Sequence, residues 1–441
     1  MWKVRLTGIS LFVAVVFAVL PASAQPPLSL SEAIARAKAR NPDAGSAAAA
    51  EREAAERVTQ VRGRYFPRVD VAESWQRGNH PVFVFSSLLA QRQFTAADFA
   101  LDALTHPSAV DNFRAAFSVE QLLFDRTAAA DARSMSIGRD MAATGKQLVD
   151  QELTSAVTES FGHVLIAAAT VRSSAAAVET ARADRELAGN RRDAGRVTDA
   201  DVLQLDVHLA RTLEQQVQAI SDERIARARL NQLMGEPLRA MFSLDLAPPA
   251  VIDIANRTGL EEEALKNRPE VALAIQQQQL ADATVAAARA AFLPQLAAQG
   301  VWELNGGAWS SRSSSWVAGA VARINLFHGF ADKARLAEAR VQMARRALDR
   351  DKAETMARLD VEIAIARLEA AQASEAVGRA AVDRAREFRR IVRDRYESGL
   401  TDAAMLLRSA DAVQQADTQQ VAARVNVITA TATLQRTIGR P

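Results

Sequence analysis

Two stretches of the chain repeat apolar residues with a seven-residue period. Val157, Phe161, Val164, Ala168, Val171, Ala175 and Val178 step by fours and threes, and Met356, Leu359, Ile363, Ala366, Ala370, Ala373, Val377 and Ala380 do the same. Such a period keeps one seam of a helix facing its neighbour and imposes left-handed coiled packing. No Pro falls between about Asp125 and Arg192, so one unbroken helix there would run on the order of 100 Å at 1.5 Å per residue. Ala at many seam positions lets axes approach closely but buries little area per pair, so each helix needs several neighbours. Each long helix ends at a Gly-bearing turn, Ala194-Gly195 and Ser398-Gly399, where Gly accepts the left-handed conformation of a helix C-terminus. Thr198 or Asp199, and Thr401 or Asp402, then cap a returning helix. The returns run to Leu233-Met234-Gly235 and to Thr437-Ile438-Gly439, which predicts two antiparallel helical hairpins with tips at Gly195 and Gly399.

Elsewhere the period is two. Val69, Val71 and Trp75 oppose Arg68, Asp70, Ser74 and Gln76; Phe113, Ala115, Phe117, Val119 and Leu123 oppose Asn112, Arg114, Ser118 and Glu120. Leu296, Ala298, Trp302 and Leu304 oppose Gln295, Gln299, Glu303 and Asn305, and Trp316, Ala318, Ala320, Ala322, Ile324 and Leu326 oppose a mixed face with Arg323 and Asn325. Asn305-Gly306-Gly307 and the Ser310 to Ser315 run predict the connecting loop. Strands of roughly ten residues with one apolar and one polar face are the signature of an outer-membrane β-barrel with a wet interior. Four strands cannot close a barrel, and open edges are not tolerated in lipid, so several chains must share one barrel through a ring contact. A soluble sheet packed on a helix would carry the same alternation, whereas a purely coiled-coil protein would not.

The two halves of the chain are copies. Asn41-Pro42, Pro67 and Trp75 recur as Arg268-Pro269, Pro294 and Trp302, each 227 positions on. Leu123-Phe124 recurs as Leu326-Phe327 and Gly195 as Gly399, 203 and 204 positions on, so the first copy carries an insert of some two dozen residues between Trp75 and Leu123. A repeat of this length is a duplicated supersecondary module rather than a solenoid unit. The expected divisions are a leader at 1–24; a first repeat at 25–246 with strands near 68–78 and 111–124 and a helical hairpin at 125–235; and a second at 247–441 with strands near 295–305 and 315–327 and a hairpin at 328–439.

The leader rests on Lys3 and Arg5 ahead of an apolar stretch from Leu6 to Leu20, followed by Pro21-Ala22-Ser23-Ala24, which places the mature start at Gln25. There is no Cys, which excludes a disulfide framework and a lipid-modified N-terminal Cys. After the leader no apolar run approaches the roughly 18 residues of a spanning helix. Net charge is +2, from 54 basic and 52 acidic residues scattered along the chain, so solvated helix faces explain the charge and no nucleic-acid partner is implied.

Helix, Asn-Pro, helix, aromatic-x-Pro, two strands, long helix, Gly tip and return helix, all duplicated, resemble the TolC-like outer membrane factor family of tripartite efflux pumps and type I secretion systems. The run from Tyr396 to Asp402, Tyr-Glu-Ser-Gly-Leu-Thr-Asp, and the closing Leu434 to Gly439 are characteristic. The resemblance covers Leu28 to Gly439. It implies a mainly α fold with membrane β: a homotrimer forming a 12-stranded β-barrel in the outer membrane of a Gram-negative-type bacterium, continuous with a 12-helix periplasmic tunnel. Short helices at the chain ends and near Ala247 to Leu265 would form a belt around the tunnel. It further implies a passive exit duct worked by a periplasmic adaptor and an inner-membrane pump of the RND or ABC type, with adaptor docking at Gly195, Thr198, Asp199, Gly399 and Asp402. By the same resemblance Tyr396 and Asp201 form a periplasmic gate, facing each other through a hydrogen bond. The chain departs from the pattern at Thr401, where some members carry a basic residue, and at Met405 and Arg408, where members with an acidic ring carry carboxylates. Arg408 is thus expected to give a basic constriction or to pair with Asp201 or Asp206.

The insert, from His80 to Pro107, is the most aromatic stretch, and it falls in the loop that the resemblance puts outside the cell. Phe83, Phe85, Phe94 and Phe99 are expected to cap the mouth or to form an extracellular constriction. No Gly-rich phosphate loop, His-Glu-x-x-His or Cys nucleophile is present, and the five His have no ligand spacing, so neither an enzyme, a cofactor nor a metal site is expected. The competing function is a periplasmic coiled-coil adaptor, but that architecture has one helical hairpin, not two with two strand pairs.

Overall fold

The computed structural model describes residues 27–245 and 252–440. The expected leader at 1–24 and the first residues of the expected second repeat, 247–251, lie outside the described residues. Each half of the chain runs through one order of elements. The first half is α1 (Leu30–Arg40), α2 (Pro42–Arg62), β1 (Arg68–Gly78), β2 (Val110–Phe124), α5 (Arg126–Asp193) and α6 (Asp199–Met234), with α3 (Pro81–Ala90) and α4 (Leu101–Thr105) inserted between β1 and β2. The second half is α7 (Arg257–Asn267), α8 (Pro269–Ala290), β3 (Gln295–Ala308), β4 (Ser311–Arg323), α9 (Ala331–Glu397) and α10 (Ala403–Thr437).

Local chemistry sets the element ends. Asn41 accepts from the Asp43 amide at 2.8 Å ahead of Pro42 at the first helical position of α2, where a missing N–H costs nothing. Asp125 caps α5 through the Thr127 amide at 2.7 Å. At 68 and 67 residues, α5 and α9 are each about 100 Å long. Towards the tips they pack against their own return helices, α6 and α10; towards the sheet α5 packs against α2 and α8, and α9 against α8. The α5–α10 seam is close enough that a Cβ on Gly162 would meet Val425 at 2.6 Å.

The duplication is visible in the packing. Ala33 and Ala37 of α1 seat on Val157, Phe161 and Val164 of α5 with Leu230 and Met234 of α6. Leu260 and Ala264 of α7 seat likewise on Val361, Ile365 and Leu368 of α9 with Leu434 and Ile438. One 18-residue window of α5 reaches a mean hydropathy of 1.3, although the sequence reading expected no such stretch. Only 33% of that window is buried within the chain; Val157, Phe161 and Val164 of α5 pack in the cluster with α1.

The sheet is antiparallel in the order β1-β2-β3-β4. Val71, Phe117, Trp302 and Trp316 stand opposite one another across all four strands, and the next row is Asp70, Ser118, Val301 and Val317. Ser74, Arg114, Asn305 and Ser313 share the second face, where Arg114 pairs with Glu303. The apolar face is open to its surroundings, with Val71 75% and Trp316 77% exposed. Aromatic groups gather at both strand ends: Trp75, Phe113 and Trp309 at one, with ring centroids 6.4 and 6.5 Å apart, and exposed Phe66, Phe124, Phe292 and Phe327 at the helical end. The last strand is Ser311–Arg323 rather than 315–327. The Ser run that reads as loop by composition supplies the polar face of a strand, so the turn shrinks to Trp309 and Ser310.

Candidate functional site

Both hairpin tips have one geometry. Gly195 and Gly399 take φ of +70° and +75°, and the following amides, of Arg196 and Leu400, donate to Arg191 O at 2.9 Å and Arg395 O at 2.8 Å. That pattern closes a helix C-terminus only with a left-handed residue. Thr198 and Asp201 then start α6 as a reciprocal cap: the Asp201 amide donates to Thr198 Oγ1 at 3.3 Å, and the Thr198 amide and hydroxyl donate to Asp201 Oδ2 at 2.9 and 2.8 Å. Asp402 starts α10 by accepting from the Met405 amide at 2.9 Å. Asp199 is exposed, 3.8 Å from Arg192.

Tyr396 lies at the centre of the tip. It is 1% exposed and packs with Ala188, Val202, Leu205, Val392, Ala403 and Leu406, which come from all four helices of the two hairpins. Its hydroxyl has no hydrogen-bond partner. The expected Tyr396–Asp201 hydrogen bond is therefore not made within the chain; Asp201 Oδ2 instead accepts from Thr198 in the cap of α6. Above the ring sits Arg191, with its guanidinium carbon 4.9 Å from the ring centroid, and a Cβ on Gly399 would meet Arg191 Nη2 at 3.2 Å. Arg191 thus reaches from the first hairpin onto the second tip, and a cation over an aromatic face contributes roughly 0.5–2 kcal/mol. Burial pushes the Tyr396 phenol above its ordinary pKa; Arg191 opposes the rise, and Asp201 and Asp184 add to it.

Below Tyr396 the hairpins are joined by a second contact. Arg389 Nη2 donates to Asp184 Oδ2 at 2.8 Å, with side chains 16% and 3% exposed, and Arg389 Nη1 reaches Leu406 O and Ser409 Oγ at 3.5 Å. The sequence reading missed Arg191, Asp184 and Arg389, whose contacts run between the two hairpins rather than along one helix. Of the other expected gate residues, Met405 packs at the edge of the tip core and Thr401 is half-buried. Arg408 is exposed. Neither expected carboxylate serves it, since Asp206 pairs with Arg185 at 2.8 Å and Asp201 caps α6.

At the other end of the molecule the insert folds onto the polar face of the sheet. Gln91, 4% exposed, donates from Nε2 to Asp111 O at 2.8 Å and Asn112 Oδ1 at 3.1 Å, and Asn112 Nδ2 donates on to Asn305 Oδ1 at 3.1 Å. Ser313 Oγ donates to Gln91 O at 2.9 Å. Arg92 ends α3 with φ +58°, and its guanidinium donates to Ser314 O at 3.0 Å. Phe85, Phe94 and Phe99 stack edge to face at 4.9 and 5.0 Å, and Phe83 lies against Gly78. Among the described residues no group of three or more His, Asp or Glu side chains could hold a metal ion. His328 instead joins Asn325 and Asp332 at 2.9 and 3.2 Å where the sheet meets α9.

The family described as outer membrane efflux protein matches residues 260–440, which is the second copy of the module. No curated protein sequence matches the chain. Its fold is that of solved outer-membrane channels. The CmeC outer membrane channel of Campylobacter jejuni superposes with a TM-score of 0.77 at 15% identity, over 93% of this chain and 85% of that one. The outer membrane protein VceC of Vibrio cholerae gives 0.78 at 15% identity, over 93% and 96%. The open state of the MtrE outer membrane channel of Neisseria gonorrhoeae gives 0.74 at 17% identity, over 93% and 89%.

Proposed function

We propose that this chain, which belongs to the outer membrane efflux protein family, is a passive exit duct through the outer membrane, its protomers assembled as a homotrimer. The observation that carries the reading is a four-stranded sheet with two open edges, β1 and β4, and an exposed apolar face. Unpaired backbone groups cannot stand in lipid, and three copies supply the twelve strands that close a ring. The helical part leaves matching free edges: Leu203, Val207 and Val217 on α6 and Val341, Leu348 and Val377 on α9 are exposed, and a neighbouring copy would cover them. The polar second face, with Arg114, Glu303 and Asn305, would line a wet lumen.

Energy for transport would come from an inner-membrane pump of the RND or ABC type through a periplasmic adaptor, docking at the tips around Gly195, Thr198, Asp199, Gly399 and Asp402. Tyr396, with Arg191 above it and the Asp184–Arg389 pair below, would hold the two hairpins together as the closed gate, Met405 and Thr401 lie at its margin, and Arg408 would project from it as a basic group. The reading is tested by fractionation and mass. The protein should sediment with outer membranes, require detergent and run as a trimer in mass photometry. A monomer released into the periplasmic extract with its sheet intact would overturn it.

A further inference from the structure

The duct reading leaves α3 unused, and α3 has two distinct faces. Val84, Ser87 and Gln91 are buried at 5%, 4% and 4%, whereas Val82 and Leu89 are 70% and 49% exposed, with Ser86 exposed between them. At 100° per residue these sets lie on opposite sides of the helix. Gln91, which caps α3 on its buried side, is fastened to Asn112 and Ser313, and Asn112 in turn to Asn305; those residues belong to the polar face of the sheet. The helix therefore lies on the lumen side, at the strand ends farthest from the helical hairpins, and its free side points away from the wall.

We propose that three copies of α3, one from each chain, form an apolar iris at the outer mouth of the barrel, with Val82, Ser86 and Leu89 around the aperture. The proposal rests on the duct reading. A 12-stranded barrel with strands about 4.8 Å apart and tilted roughly 40° has a radius of roughly 12 Å. A helix about 10 Å across lying on each third of its inner wall leaves an opening only a few ångströms in radius. An aliphatic ring of that width stops water and ions by dewetting. The four Phe residues of the insert then act as scaffold: Phe85, Phe94 and Phe99 clasp one another and leave the aperture to the smaller aliphatic side chains.

The chain has no Cys, so one introduced thiol can be addressed alone. Leu89→Cys and, as an exposed control on the belt, Met241→Cys are placed in an Asp184→Ala background that loosens the tip lying in series. Each is labelled in detergent with a positively charged methanethiosulfonate reagent, checked by mass, and inserted into planar bilayers. The adduct should change the conductance of Leu89→Cys roughly twofold or more by wetting or blocking the narrow ring and leave Met241→Cys unaltered. Val82→Ser with Leu89→Ser should raise conductance without any reagent. A fully labelled Leu89→Cys trimer that conducts as before, together with an unaltered double Ser variant, overturns the iris while the duct stands. A chain that forms no channel in any variant overturns the duct reading and the iris with it.

Discussion

Asp184 and Arg389 stand 205 positions apart and meet at 2.8 Å in a nearly dry contact. Removing one partner of such a pair leaves a buried charge unanswered and costs roughly 3–5 kcal/mol, whereas replacing both with apolar groups is often neutral. The tip should follow that asymmetry. Asp184→Ala should raise single-channel conductance and admit large antibiotics, and Asp184→Leu combined with Arg389→Met should return both towards the parent. Tyr396→Phe serves as the contrast, since its hydroxyl has no partner and its loss should leave the closed tip unchanged. A double variant as leaky as Asp184→Ala, or a leaky Tyr396→Phe, would show that the closure lies elsewhere, the latter restoring a Tyr396–Asp201 hydrogen bond formed on assembly.

The long helices and their return helices all run into a left-handed Gly, at Gly195, Gly399, Gly235 and Gly439, yet these four glycines have different surroundings. Gly235 has φ +67°, and a Cβ there would meet Arg40 O at 2.8 Å; at Gly439, φ +77°, it would meet the Asn267 backbone at 2.7 Å. Around Gly195 nothing lies within 4 Å. Gly195→Ala should therefore cost only the left-handed strain of about 1–2 kcal/mol, while Gly235→Ala pays that strain plus displacement of the α1 C-terminus. Urea midpoints measure the difference, and equal shifts would mean that the belt yields freely. Equivalent contacts at Arg40 and Asn267 also explain why the duplication was legible: Asn41-Pro42 and Arg268-Pro269 restart the chain at matching places. The long helices were readable from their seven-residue period because it recurs over many turns. β4 was displaced in the reading because Ser311 to Ser315 have loop composition, although Ser311, Ser313 and Ser315 stand on the polar face of the strand. The helix α3 went unread because its run from Val82 to Phe85 is apolar without a period, although Pro81 at its first turn is a start signal. The tip contacts could not be read, since Arg191 over Tyr396 and Arg389 on Asp184 depend on the register of α5 against α9, which no local pattern encodes.

For the whole molecule, orientation of the sheet decides between a duct and a soluble platform, and adjacent residues on β2 test it. Phe117 faces Val71 and Trp302, and Ser118 faces Asp70 and Val301, so the two side chains point to opposite sides of one strand. If the apolar row meets lipid, Phe117→Arg places a charge in the hydrocarbon and costs about 2–4 kcal/mol near the bilayer midplane. It should deplete folded trimer from the outer membrane. Ser118→Arg places the same charge in the lumen, where three copies add a positive ring. It should spare assembly and shift the reversal potential towards anions under a salt gradient. A lumen charge also acts across a narrow aqueous path in which low-dielectric walls strengthen its field, so a single substitution per chain is enough to be read. If Ser118→Arg abolishes membrane assembly while Phe117→Arg leaves it intact, the sheet is inside out relative to the duct, and the docking of α3 on the Asn112–Asn305 face would place it outside the barrel rather than across its mouth.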